Sequence, residues 1–527
     1  MRRFARMFSR GAGVPALAAA LLLALPSPTP ARVAGVAAQS FSLTAASGKV
    51  TTADGSGLFF WGYRNVGSLV QYPGPTLIVT EDQQVTVTLD NQLTTPVSIV
   101  FPGQSVTATG GVPGLLTREA VPGGTPVTYT FTPTEPGTYL YHSGTEPDLQ
   151  VEMGLVGALV VRPAANATMT GCDPDEPAKV MSTAYGDCRS AYDYEYLFLL
   201  TEMAPKVHEL VELGLTKQVT TTDLMAFSWF MNGRGSPDTM SPDDAAWLPN
   251  QPYSCMPLAT PRDRVLLRVI GAGRDNHPLH THGNNLDVIA RDGRLLQSAA
   301  GASRTVDVGT VTDLARSSFT INVQPGGTYD GIFSWTGREL GWDFFGHSLT
   351  AAPDPSELYA QTTLADAFPA GDLTLTVAAG TGAAFPANHR FRAVVWSGAS
   401  ISDPAGSREV LVLTAAAADT FTAERAAEGT AQGSWAAGAN LTLTDHGTKF
   451  PVSLPDNKDL AFGQFYSGSP YLGSAGTLPP GEGGFNPDAG FAFMWHSHTE
   501  KELTNNNIFP GGLMTMFIVL PPGTTVE

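Results

Sequence analysis

The sequence predicts an all-β chain made of two β-sandwiches with a small inserted β-module, and three observations lead there. Glycine (56 residues) and proline (40) recur at short intervals, as turns between strands require. The periodic segments alternate apolar and polar residues instead of repeating at helical spacing. A stretch rich in alanine, threonine and glycine, 356–445, interrupts the second series of strands. With 527 residues, 43% apolar and 15% charged, the chain is long enough for two to four domains with cores of their own.

Residues 1–38 read as an export signal. Arg2, Arg3, Arg6 and Arg10 precede the apolar run Val14–Leu25, and Val36-Ala37-Ala38 offers small residues for cleavage. The run is too short to span a bilayer and no later segment reaches 18 uninterrupted apolar residues, so no membrane span is expected. Arg2-Arg3 admits a twin-arginine signal beside a general secretory one, although the residues after it fit that pattern poorly. A secreted, periplasmic or cell-surface location follows. The formal charge is -18, and losing a signal with five arginines and no acid makes the chain more acidic still. Such a surface repels nucleic acid and anionic lipid.

Residues 41–163 form the first sandwich. In "QQVTVTLDN" Val85, Val87 and Leu89 share one face; "VTYTFTPTEPGTYLYHSG" (127–144) holds two strands around a Pro-Gly turn, and "MGLVGALVV" (153–161) a buried strand. Residues 164–193 are a linker in which Cys172 and Cys188 bracket a short polar loop, a spacing that suggests a disulfide worth about 3 kcal/mol. Cys255 is then the odd thiol, expected buried and free, with a metal thiolate as the lesser alternative. The second sandwich runs over 194–355 and resumes over 446–523. Its strands are "YEYLFLLTEM", "RVLLRVIGAG", "NNLDVIARDG", "FTINVQPGGTYDGIFSW", "FAFMWHSHTE" and "LMTMFIVLPPG". "PKVHELVELG" (205–214) is the best helix, with His208 expected on its surface. The inserted β-module spans 356–445. Within it, 409–444 resembles a small module of phage tail and bacterial surface proteins, which makes the insert the candidate for contact with a surface partner.

Six of the ten histidines fall in tight motifs: His142 in "YHSG", His277, His280 and His282 in "HPLHTHG", and His496 and His498 in "HSH". Alternate residues of a strand share a face, so His280 with His282, and His496 with His498, each present two imidazoles to one cavity. The alternative is a hydrogen-bonded polar cluster without metal. "GAGRDN" (271–276) leads into the histidine motif and not into a helix N-terminus, so it is no phosphate cradle. Met514 and Met516 read as core, and His347 and His446 flank the insert without an assigned site.

With "YPGPTLIVTEDQQVTVTLDN", "GTYLYHSG", "GLVGALVV", "RVIGAGRDNHPLHTHG" and "FMWHSHTE", most of the chain outside signal and insert resembles the multicopper oxidases. The resemblance implies cupredoxin-like Greek-key sandwiches, a blue copper, a three-copper cluster, and the two-domain arrangement that assembles as a homo-oligomer, commonly a trimer. It implies His277 as a blue-copper ligand, and His142, His280, His282, His496 and His498 as cluster ligands converging between the sandwiches. It also exposes losses: Val100 and Pro102 stand where two cluster histidines belong, Gly144 where another does, Ser497 replaces the blue-copper cysteine and Glu502 the next histidine. Blue copper needs a thiolate, which a serine hydroxyl cannot supply, so laccase-type oxidation is not expected. The remaining imidazoles suit copper, or zinc, with Glu152 and Glu500 as candidate partners of their second nitrogens. The function expected is copper binding by an exported multicopper-oxidase-like protein. The alternatives are an oxidoreductase acting on metal ions or phenols, and a metal-free scaffold or adhesion protein.

Overall fold

The computed structural model describes residues 33–335 except 53, 175 and 223; 360–443 except 386, 388–390, 400–405 and 428–429; 476–477; 485–486; 491–520; and 525–526. Residues 1–32 of the expected signal, and His347 and His446, lie outside the described residues.

Turn chemistry and alternation build the first sandwich as the sequence predicts. Its strands are β1 (Ser40–Thr51), β2 (Gly57–Asn65), β3 (Gly74–Thr80), β4 (Val85–Asn91), β5 (Val127–Phe131), β6 (Gly137–His142) and β7 (Val156–Arg162). One sheet runs β2-β1-β4-β5 and the other β3-β7-β6. The Pro136-Gly137 turn therefore carries the chain from one sheet to the other and does not close a hairpin. Parallel pairs β1·β4 and β3·β7 bring together strands distant in sequence. In β4 the odd positions Val85, Val87 and Leu89 are buried while Thr86 and Thr88 are half-buried, the period of two that one covered face imposes.

β7 has no polar face, because both of its faces are covered. Leu159 and Val161 point into the first core beside Leu77, Val79 and Tyr63, while Val156, Ala158 and Val160 pack against Leu197, Leu199, Phe230 and Ile270 of the second sandwich. At roughly 1.5–3 kcal/mol per fully buried large apolar side chain, this seam is a principal tie between the sandwiches. Arg268, fully buried, adds a polar one. Its guanidinium reaches Glu195 Oε1 at 2.5 Å and Asp330 Oδ2 at 3.4 Å, and Arg162 of β7 meets Glu195 at 2.6 Å. Burial would raise the Glu195 pKa, but the two arginines hold it at about 2.

The second sandwich comprises β8 (Tyr194–Met203), β9 (Ser228–Met231), β10 (Arg264–Gly271), β11 (His277–Thr281), β12 (Leu286–Arg291), β13 (Thr320–Val323) and β14 (Thr328–Ser334), completed after the insert. The insert contributes β15 (Phe391–Ser397), β16 (Ser407–Ala417), β17 (Thr420–Ala427) and β18 (Asn440–Leu443), around a separate core that includes Phe391, Leu411, Phe421 and Trp435. In it Arg425 pairs with buried Glu409 at 2.8 Å. The chain then returns as β19 (Phe491–Ser497) and β20 (Met514–Val519). One sheet of the second sandwich runs β9-β8-β10-β14-β12, the other β20-β19-β11-β13. Trp495, Phe517, Phe333 and Leu279 meet between them.

The helix Pro205–Glu212 forms, but His208 is buried and not on the surface. Its Nδ1 bonds Phe59 O and its Nε2 lies 3.3 Å from Glu152 Oε1. The helix lies against β2, so the face carrying Val207, His208 and Val211 is covered. Cys172 and Cys188 form a disulfide and Cys255 is buried and free, its Sγ 3.2 Å from Met231 O. Met514 and Met516 are core. Among the described residues no helix is long and apolar enough to cross a membrane.

Candidate metal centre

The centre is built on a two-strand ribbon. β11 and β19 pair antiparallel, with Leu279 opposite Ser497 and His280 opposite His496. Alternation then sorts the side chains: His280, His282, His496 and His498 fall on the outer face, and His277, Leu279 and Ser497 on the inner one.

On the outer face four imidazoles meet. Ring centroids are 4.7 Å apart for His280 and His282, 4.9 Å for His280 and His498, 5.3 Å for His282 and His496, and 5.5 Å for His496 and His498. Nitrogens of His280, His282 and His496 all lie within 4.8 Å of one another. His282 and His496 are buried, His280 is half-buried, and the His498 side chain is 54% exposed, so the cluster opens to solvent on one side. Phe319, itself exposed, stacks edge-on against His280 at 5.5 Å.

Hydrogen bonds set the tautomers. His496 Nδ1 lies 2.7 Å from Ser497 O, a carbonyl that only accepts, so Nδ1 carries the proton and Nε2 keeps the lone pair. That Nε2 faces His282 Nε2 at 3.3 Å. Burial holds His496 neutral, with its pKa lowered to about 4, and burial together with neighbouring His498 lowers that of His280. His280 Nδ1 bonds Thr320 Oγ1 at 2.7 Å, across the ladder on β13, and His498 Nδ1 lies 3.3 Å from the exposed Glu500. His280, His282 and His496 together, with Nδ1 of His280 and of His496 held by hydrogen bonds, make a donor set of the type copper takes.

The inner face is different. His277 is fully buried; its Nδ1 lies 3.0 Å from Glu502 Oε2 and its Nε2 3.1 Å from Glu202 Oε2. Ser497 Oγ donates to the same Glu502 oxygen at 2.6 Å. Burial opposes a charge on His277, but the two carboxylates outweigh it and raise its pKa to about 9. The expected blue-copper ligand thus has both nitrogens engaged by carboxylates. Glu202 also accepts from the amides of Arg274 and Asp275, at 2.6 and 3.2 Å. The close approach requires Gly273, where a Cβ would collide with the Glu202 carboxylate.

Of the five imidazoles expected to converge, four come together, all from the second sandwich, and His142 makes its contacts elsewhere. It ends β6, its Nδ1 donates to Ser143 O at 2.9 Å, and its ring lines a cavity of about 450 Å³ between the sandwiches with Glu152, Glu202 and Arg274. Burial lowers its pKa. The positions that lack histidines around it are filled: Val100 bridges to His142, and a Cβ at Gly144 would lie 2.7 Å from Val100 Cγ1. Glu152 serves Arg274 and the amide of Ala204, not a cluster imidazole, whereas Glu500 does lie beside His498. Glu202 and Thr320 escape sequence reasoning. A lone acid in the apolar run "FLLTEM" was the available hint for the first; nothing local marks the second.

A family profile described as multicopper oxidase matches residues 66–166, which contain the first sandwich's "GPTLIV" and "YHSG" segments. Curated relatives agree. Laccase 1 of Metarhizium robertsii is 34% identical over 134 residues, 24% of this chain and 20% of that protein. Laccase-1 of Emericella nidulans is 31% identical over 173 residues, covering 32% and 26%. Over residues 66–166 the chain is thus similar to the multicopper oxidase family. An iron transport multicopper oxidase of Epichloe festucae is 36% identical over 117 residues, covering 22% and 17%. The matched stretches thus span about a quarter or less of these relatives' length. The solved blue copper oxidase from Nitrosomonas europaea aligns at 17% identity and a TM-score of 0.39, covering 65% of this chain and 80% of that one. The family matched over residues 66–166 implies copper as cofactor.

Proposed function

We propose that this chain is an exported copper-binding protein of the multicopper oxidase family, holding copper through His280, His282 and His496, with His498 at the open edge. The observation that carries the reading is the 3.3 Å approach of His496 Nε2 to His282 Nε2, with a nitrogen of His280 beside them. His496 Nε2 is an acceptor, so the contact is a hydrogen bond when His282 carries its proton on Nε2, and a metal ion can take that proton's place. Copper bound there would supply Lewis acidity or one-electron chemistry, and the protein would orient it through Thr320 and the Ser497 carbonyl. Laccase-type oxidation is not part of the proposal, because Ser497 offers no thiolate and His277 is bonded to two carboxylates. Export agrees with the disulfide, and a homo-oligomer, such as a trimer, is the assembly proposed.

Metal analysis after dialysis tests this. Copper is expected to co-purify with the wild type, without an intense visible thiolate band, and to be lost from a His280→Ala/His282→Ala double variant. Equal copper in both proteins, or an intense blue band, refutes the reading.

A second reading, oxidation of metal ions or small phenols at the same centre, is favoured by the solvent-facing edge at His280 and His498. Oxygen uptake by the copper-loaded protein with Fe(II), Mn(II) or a phenol distinguishes the two.

A further inference from the structure

The buried His277, bonded to Glu202 and Glu502, lies directly behind the histidine cluster, on the other face of the same ribbon. Ser497 sits between the ligands His496 and His498, and its hydroxyl donates to Glu502. The same hydroxyl accepts from the amide of Thr499 at 3.2 Å. Glu502 in turn holds His277 of β11, and His277 holds Glu202, whose other oxygen accepts from the two amides that lead the chain into β11. The chain Ser497, Glu502, His277, Glu202 therefore fastens both ligand-bearing strands from behind. Its members are buried and each hydrogen bond is between 2.6 and 3.2 Å.

We infer that Ser497 and Glu502 are positioning residues for the metal centre, a hydrogen-bonded lock that fixes the backbone bearing His496 and His498 in place of a copper–thiolate bond. Alternation gives the physical reason. A residue between two ligands cannot reach the metal they share, so it acts on them only through the backbone and through what it grips on the inner face. Without the lock, β19 keeps its ladder partners β11 and β20 and the packing of Trp495, but loses the hydrogen bond at the residue between its two histidines. The hydroxyl is what matters: Ala removes the donor and leaves Glu502 one partner short, Thr keeps it, and Glu502→Gln weakens both bonds by removing the charge.

The inference rests on the proposed metal reading for one arm of its test and stands alone for the other. In the metal-free full chain, amide hydrogen exchange is expected to quicken at Ser497 and His498, whose amides bond Leu513 O and Pro278 O, in Ser497→Ala and Glu502→Gln but not in Ser497→Thr. With Zn(II) alone as probe, titration calorimetry is expected to give ~10-fold weaker binding in the first two variants, in the range known for outer-shell partners, with Ser497→Thr restoring it. Exchange and affinity unchanged in Ser497→Ala and Glu502→Gln overturn the inference. If the wild type binds no metal, the proposed function fails, and the exchange arm alone decides this one.

Discussion

His277 and His496 are both buried, lie on paired strands of one sheet, and end up in opposite protonation states. Carboxylates at each nitrogen drive His277 toward imidazolium, with a pKa of about 9, whereas His496 has a single carbonyl acceptor and falls to about 4. Burial is common to both; the partners differ. Desolvation penalises a charge in either place, and only a directed opposite charge repays it. His277 on the inner face of the ribbon thus keeps its proton, and His496 on the outer face keeps its Nε2 lone pair.

The comparison breaks most sharply at the carboxylates. Replacing Glu202 by Leu leaves His277 half-paired and two amides without an acceptor. Urea unfolding of the metal-free protein is expected to show a loss of about 3–5 kcal/mol, the usual cost of removing one partner of a buried charge pair; a loss under about 1 kcal/mol would mean that the inner face is not held by charge.

pH sharpens it. The folded pKa of His277, about 9, lies above its ordinary 6.5, so its stabilisation is complete below pH 6.5 and is lost as pH rises through 9. Denaturation midpoints are expected to fall between pH 7 and pH 10 in the wild type, with a flatter profile in His277→Gln; parallel profiles contradict the assignment.

On the outer face the balance reverses. His496→Ala is expected to weaken copper binding by more than the ~10- to 100-fold typical of outer partners, while costing the metal-free fold only about 1–2 kcal/mol for one lost hydrogen bond. Competition against a chelator and urea unfolding read the two quantities. The smallest effect belongs to Thr320→Val, which frees His280 Nδ1: ~10-fold weaker copper binding with an unchanged melting temperature is expected, and unchanged affinity would remove Thr320 from the centre.

Much of this was legible in the sequence. Alternation in "QQVTVTLDN" and the unbroken apolar run of "MGLVGALVV" announced a strand covered on one face and a strand covered on both. His280 with His282, and His496 with His498, declared a shared face through their spacing alone, because a period of two needs no knowledge of distant neighbours. His208 misled, because what covers a helix face comes from another segment; here it is β2. His142 misled for a related reason: a motif places a residue on its own strand but not against another sandwich.

The sequence by itself therefore determined the strand periods and the shared faces of His280 with His282 and of His496 with His498, all of which are local. Only the tertiary structure decided that Glu202 and Glu502 meet His277, that Thr320 meets His280, and that His142 lines the cavity with Glu152, Glu202 and Arg274. Those outcomes depend on partners up to 225 residues apart along the chain, brought together by strand pairing and by packing of the sandwiches.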